Sequence, residues 1–272
     1  MMLVDIRTDS LILHHAVDRE KTSEYALHCH NFYEVFYFIG GNVSYLVEGQ
    51  RYVLEPNSLL LIAPHVFHGV KVESDIPYER ISLHFVPGIL PPENQTALLS
   101  AFHNFRSAEG IYYSNDGKIF SFLEQLIEAW HADESIRDML LRIRLEALLS
   151  QILMMSYTHK NALQDFATAK SIAPILSFLN ERMTETVTLD ELSAKFFISK
   201  HHLNKIFRKA TGTTVGNYLI HKRVVMAQNL IQQGHTASSA ATEAGFRDYS
   251  AFYRAYKKVL GHAPSSNGAL LY

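Results

Sequence analysis

Four side chains early in the chain have the types and spacing of a ligand centre: His28-x-His30-x3-Glu34, joined by His68 from a later segment. Imidazole nitrogens and a carboxylate suit a divalent first-row metal, so two to four of these groups can hold one. Side chains two residues apart on a strand share a face, so one strand over 28–39 would present His28, His30 and Glu34 together. The same inward groups serve equally well as the polar floor of an open pocket for a small organic molecule, with no metal required. Arg80, Ser82 and His84 alternate on another predicted strand and suit a sugar or a carboxylate. Phe32, Phe36 and Phe38 can wall such a pocket, though ordinary core packing accounts for them too.

A second constellation occupies the last hundred residues, where one helix-turn-helix pattern is written twice. The first copy is Leu192-Ser193-(x4)-Ile198-Ser199-(x3)-Leu203-(x3)-Phe207-(x4)-Gly212, and the second is Ala240-Ala241-(x4)-Phe246-(x5)-Phe252-(x3)-Tyr256-(x4)-Gly261. In the predicted helix 199–210, Leu203, Ile206, Phe207 and Ala210 recur at helical spacing and face inward. That leaves His201, Asn204, Lys205 and Arg208 outward, flanked by Lys200 and Lys209, with Ser199 as N-cap. In the second copy Asp248 is the cap, Phe252, Ala255, Tyr256 and Val259 face inward, and Tyr249, Ser250, Tyr253, Arg254 and Lys257 face outward. Asn pairs with adenine, and Lys or Arg with guanine, in the major groove. Phosphate contacts are at least as common as base contacts, and each outward residue also fits a plain solvated face.

These groups need elements to hold them. Short strands with turn signals run from about 25 to 86: 28–39, a hairpin at Gly40-Gly41-Asn42, 43–48, 51–54, 58–63, a turn at Pro64-His65, 68–72 and 79–86. This spacing predicts a small antiparallel barrel. After Pro91-Pro92 the period becomes helical. Ile119 to Trp130 and Met139 to Leu153 predict an antiparallel helical pair joined at Asp133-Glu134-Ser135, with more apolar surface than one stripe. Part of it can serve core packing or a dimer contact. Thr188-Leu189-Asp190-Glu191 has capping-box spacing, so a helix starts at Leu189. A longer helix over 215–232 joins the two repeat units. The predicted domains are a barrel over 1–115, a helical pair over 116–160, a linker over 161–170 and a DNA-binding domain over 171–272.

Charge divides along the same line. Residues 170–272 carry 13 Lys and Arg against 6 Asp and Glu, while residues 1–169 carry 12 against 21. A basic carboxy-terminal part suits a polyanionic partner. Cys29 is the single cysteine, which forms no disulfide framework within the chain and fits a reducing compartment. No apolar run approaches the length of a bilayer span, and the first fifteen residues lack a secretory pattern. Cytoplasmic localisation, with no membrane partner, is the expectation.

The stretches LNKIFRKATGTTVGNYLIHKRVVMAQNLI and EAGFRDYSAFYRAYKKVLGHAP resemble the AraC/XylS family of transcriptional regulators. Gly245-Phe246, Phe252, Lys257-Lys258 and Gly261-x-x-Pro264 carry the resemblance, which covers about residues 170–265. It implies two helix-turn-helix subdomains on one long helix, with base contacts at His201, Asn204, Lys205, Tyr249, Ser250, Tyr253 and Arg254. Ala240 stands where a bulky aliphatic is usual, so the second subdomain is expected to pack less tightly, and Asn267 replaces an aromatic. The His28–Glu34 spacing, with Gly41 seven residues on, resembles the first cupin motif, and LEPNSLLLIAPHVFHGV the second, with Ser58 and His65 in place of glycines. The resemblance implies a multidomain α+β chain with an N-terminal effector-binding barrel and an all-α C-terminal domain.

The expected function is a non-enzymatic, sequence-specific DNA-binding regulator. Its partners would be double-stranded DNA, a small effector such as a sugar, RNA polymerase and a second copy of the chain. Effector-binding candidates are His28, His30, Glu34, His68, Arg80 and His84. No cofactor is required, and a divalent metal is compatible with the first four. A metal-dependent cupin enzyme with an accessory DNA-binding domain, or a constitutive DNA binder whose barrel only dimerises, are the competing readings.

Overall fold

Large apolar residues at successive positions of Tyr33–Gly40 bury both faces of one central strand, and the amino-terminal domain is built around it. The computed structural model describes residues 1–23, 25, 27–48, 50–64, 66–102, 112–114, 117–158 and 172–264. Its strands are β1 (Met2–Arg7), β2 (Leu11–Asp18), β3 (Tyr33–Gly40), β4 (Val43–Val47), β5 (Gln50–Val53), β6 (Ser58–Ile62), β7 (His68–Val72), β8 (Tyr78–Phe85) and β9 (Tyr112–Ser114). One sheet has the order β1-β2-β8-β3-β6-β9 and the other β5-β4-β7, all pairs antiparallel. The pleat sends alternate β3 residues to opposite sides. Phe36 meets Tyr45 of the second sheet at 4.7 Å, and Tyr37 meets Phe120 of the helical layer at 6.0 Å. Glu34 therefore points between the sheets, into the barrel. At the β3–β4 hairpin, Gly41 takes φ 128°, and a Cβ there would lie 2.8 Å from Tyr78 Cα.

Two strand readings need correction. The chain does not run as one strand over 28–39, because it bends at Asn31-Phe32 and β3 begins at Tyr33. His28 instead pairs alone with His68 through two backbone hydrogen bonds of 2.9 and 3.0 Å. Strand structure also starts earlier than expected: β1 and β2 precede the histidines, and β2 supplies the partner that covers β8. β9 and the helix α1 (Pro92–Leu99) lie where no element was expected. His65, the linker 161–170 and Asn267 fall outside the described residues.

Helices α2 (Lys118–Trp130) and α3 (Glu134–Thr158) form the expected pair, with Asp133 capping α3 through Ser135 N–H. Ile119, Leu123, Leu126, Leu145, Leu148 and Leu149 are wholly buried in the barrel's core. The opposite side of α3 leaves Ile136, Met139, Ile143, Met154 and Tyr157 exposed. The carboxy-terminal domain contains α4 (Ala173–Glu181), α5 (Leu189–Phe196), α6 (Lys200–Thr211), α7 (Val215–Gln232), α8 (Ala237–Glu243) and α9 (Tyr249–Leu260). Among the described residues, no helix is long and apolar enough to cross a membrane.

Candidate nucleic-acid interface and barrel centre

Each helix-turn-helix unit starts from local capping. Thr188 Oγ1 accepts Glu191 N–H at 3.1 Å, which fixes the start of α5 at Leu189. Ser199 Oγ accepts His202 N–H at 3.2 Å at the start of α6. Asp248 accepts Ser250 N–H at 3.2 Å and Ala251 N–H at 2.8 Å at the start of α9. The carboxylate also complements the positive end of the α9 dipole. These caps set the helical phase, and the phase sets the faces. Leu203, Phe207, Phe252 and Tyr256 are buried, with Ile206, Ala210, Ala255 and Val259 half-buried beside them.

The outward residues lie where the sequence puts them. His201, Lys205, Arg208, Tyr249, Ser250, Tyr253, Arg254 and Lys257 are exposed, and Asn204 is half-buried. His201, Asn204, Lys205 and Arg208 line a concavity of about 510 Å³ with Thr214, which sequence reasoning did not select. Thr214 is recognisable afterwards as the N-cap of α7, since its hydroxyl accepts Asn217 N–H at 3.2 Å. Lys200 is turned toward Asp190 of α5 in an ion pair. The two faces therefore offer donors, acceptors and cations of the kinds that read a major groove.

In the barrel the structure gathers His28, His30, Glu34 and His68, with one ligand atom from each lying within 4.8 Å of all the others. They come from three separate elements: the His28–His68 bridge, the bend before β3, and β3 itself. His30 Nε2 and His68 Nε2 each lie 3.0 Å from Glu34 Oε2, and His84 Nε2 is 3.5 Å from Oε1. Phe32 stacks on His30 at 3.9 Å. Arg80 is not brought to this cluster. It pairs with Asp18 at 2.6 Å and lies over the Tyr78 ring, opposite Phe38 in the β3–β8 register and four residues from Glu34. Burial pushes the His30 imidazole down to about 3 despite Glu34 beside it. Burial alone would raise the Glu34 carboxyl, but His84, His30 and His68 outweigh it and hold it well below the usual range. His30 is neutral and Glu34 ionised at neutral pH.

The link between the two regions was not legible in the sequence. Cys29 and Phe67 flank the cluster residues, and both belong to the buried core of the first helix-turn-helix unit with Leu192, Leu203, Phe207 and Tyr218. Phe67 meets the Tyr218 ring at 5.4 Å. Glu48, at the end of β4, receives Lys222 Nζ at 2.7 Å and the Tyr218 hydroxyl at 2.5 Å. Tyr218 and Lys222 are one helical turn apart, so they share a face of α7. Asn31 Nδ2 donates to Gln232 Oε1 at the other end of that helix, at 2.6 Å. The Cys29 thiol, pushed up to about 12 by burial, is a packing group rather than a nucleophile.

Comparison with known proteins agrees with both halves. Residues 15–149 match the AraC-like ligand binding domain, and residues 192–267 match a helix-turn-helix domain. Over 244 residues the chain is 25% identical to the uncharacterized HTH-type transcriptional regulator YbfI of Bacillus subtilis, covering 82% of this chain and 79% of that one. Over 256 residues it is 23% identical to the HTH-type transcriptional activator RhaR of Escherichia coli, covering 91% and 88%. Unsaturated fatty acid-bound ToxT of Vibrio cholerae aligns over 95% of this chain and 94% of its own, with 13% identity and a TM-score of 0.41. The chain belongs to the AraC family, as a DNA-binding transcriptional regulator whose ligand-binding domain precedes two helix-turn-helix units.

Proposed function

We propose that the barrel is the sensor, and that it acts on DNA binding through the shared core at Cys29 and Phe67. The observation that carries this reading is the alternation along two short segments. His28 and His30 point into the barrel while Cys29 points into the first helix-turn-helix core, and His68 and Phe67 divide in the same way. Any ligand that moves these segments changes the packing of α5 and α6. A ligand shifts the equilibrium only by its difference in affinity for the two arrangements. The effector is a small polar molecule of the sugar class, and the chain activates transcription by recruiting RNA polymerase in the cytoplasm, without catalysis. A second copy docks on the exposed apolar side of α3, where Met139, Ile143 and Met154 otherwise face water.

Selection of bound fragments from sheared genomic DNA, followed by footprinting, tests the DNA half. An asymmetric protected site with two unlike segments per chain is expected, and uniform retention of all fragments overturns it. Thermal shift across a metabolite panel tests the sensor half, since a ligand of the native state raises the midpoint. His30→Ala should lose that shift and keep basal DNA binding. Loss of both together would mean that the barrel is only a support.

A further inference from the structure

We infer that the barrel touches DNA itself, with Lys71 holding a backbone phosphate beside the first helix-turn-helix unit. The concavity under Asn204 and Lys205 does not stop at the recognition face. Arg208 and Thr214, which line it, also line a second cleft of about 490 Å³ that runs on to the barrel. Lys209 of α6 is on one side of this cleft, and Ser23, Tyr25 and Lys71 of the barrel are on the other. The seam is tight at this point. A Cβ at Gly212, the C-cap of α6, would lie 2.3 Å from Leu27 Cδ1. The strand pleat explains why Lys71 reaches the seam. His68 and Lys71 are three residues apart on β7, so one turns into the barrel and the other outward.

Charge and continuity choose the occupant. Lys205, Arg208, Lys209 and Lys71 give the two clefts four cations, and no carboxylate lines either among the described residues. This runs against the composition of residues 1–169, which carry 12 Lys and Arg against 21 Asp and Glu. An acidic barrel docked on a DNA reader must keep its carboxylates out of the path of the strand. Lys71 has Glu73 at 2.9 Å, but that carboxylate also takes Arg51 at 3.3 Å and the Ser44 hydroxyl at 2.7 Å. Glu73 lies outside the cleft lining, so the shared pair leaves the Lys71 ammonium with charge to offer. The amino-terminal residues of a recognition helix reach base edges, so its other end leaves the groove beside the phosphate backbone. Arg208 and Lys209 stand at that other end of α6. A duplex read by His201 and Asn204 therefore carries a flanking phosphate toward the seam, where Lys71 meets it from the barrel side. The inference needs no effector and stands on DNA binding alone.

The test uses the full chain and two duplexes of unrelated sequence, one of them recovered by the genomic selection. Affinity is measured by fluorescence anisotropy across a salt titration. Lys71→Gln should weaken binding to both duplexes by about tenfold at about 0.1 M salt. It should also flatten the slope of log affinity against log salt by about 0.9, the loss of one phosphate contact. Lys118→Gln removes the same charge at the start of α2, which lines neither cleft, and should change neither value. Lys71→Arg should keep both. Circular dichroism checks folding, and Lys71→Met, which keeps the apolar stem, is a second removal should Lys71→Gln fold poorly. Ethylation of one phosphate flanking the first unit's segment should block wild type and be indifferent to Lys71→Gln. An unchanged slope in folded Lys71→Gln and Lys71→Met, or an equal fall in Lys118→Gln, overturns the contact. The other occupant is a free anion. If inorganic phosphate raises the thermal midpoint of wild type and not of Lys71→Gln, while the DNA slope stays the same, the cleft holds an ion and the inference fails.

Discussion

The two helix-turn-helix units share a plan and differ in what holds them. The first has Leu192, Leu203, Phe207, Val215 and Tyr218 in its core, completed by Cys29 and Phe67 from the barrel. The second relies on Ala227, Ala240, Ala241 and Ala244 around Phe252 and Tyr256, with nothing from the barrel in that cluster among the described residues. Their turns differ as well. At the left-handed position after the first helix, one unit has Phe197, at φ 54° and 94% exposed, and the other has Gly245, at φ 86°. Small residues let α8 lie close to α7, and Gly245 lets the turn approach Thr184, whose carbonyl oxygen would be 2.2 Å from an added Cβ. The first unit is thus fastened from outside, and the second by close approach within its own domain. Among the described residues, one unit is placed to feel the barrel directly, while the other is reached through α7.

The largest test of that contrast is Lys222→Met. The Lys222 and Glu48 side chains are 6% and 12% exposed, so removing the ammonium leaves a nearly buried carboxylate. Such an unpaired charge costs about 3–5 kcal/mol, less whatever Tyr218 and Phe67 N–H recover. Urea unfolding should show the first unit parting from the barrel before the second unit is affected; an unchanged transition would mean that the fastening is unimportant. Gly245→Ala comes next, at about 2–4 kcal/mol from the left-handed backbone and the collision with Thr184. Hydrogen exchange should rise more in α8 and α9 than in α5 and α6. Equal exposure of α5 and α6 would break the idea that the units are held independently.

Asn204→Ala and Arg254→Ala address the reading faces, one in each unit. Each should lose about 1–3 kcal/mol of specific binding and relax base preference at opposite ends of the footprint. Relaxation at the same end in both variants would contradict the two-segment reading. The smallest effect is a gain. Phe197→Gly removes a left-handed strain of about 1–2 kcal/mol but adds unfolded-state entropy of about 0.4–1 kcal/mol, for a net stabilisation of up to about 1 kcal/mol. Thermal denaturation measures it, and a lower midpoint would show that Phe197 has a packing role its exposure conceals.

What could be read beforehand follows the range of the interaction. Thr188, Ser199 and Asp248 act on N–H groups two or three residues ahead, so the helix starts and the outward faces were visible in the chain. The Leu203–Phe207 and Phe252–Tyr256 periodicities are equally local. The candidate metal centre was legible by type but not by geometry. Glu34 is on a strand, whereas His28 is positioned by a bridge to His68, forty residues away in the chain. The Glu48–Lys222 and Asn31–Gln232 contacts span 174 and 201 residues, and no pattern within either segment announces them. Cys29 and Phe67 look like barrel residues because they alternate with barrel residues. Only the docked helices show that they belong to another core.

Helix α7 has a consequence for promoters. Its 18 residues make a rod of about 27 Å, and both recognition helices are packed from its two ends. Such a rod acts as a ruler. Inserting one base pair between the two segments of an operator moves the second by about 3.4 Å and swings it by about 35° around the duplex. Protein of this stiffness cannot follow both displacements, so a stretched operator would be gripped at one end only. Spacing inside a chain's own site is therefore set by the protein, and drift in sequence is tolerated at the bases far more readily than drift in length.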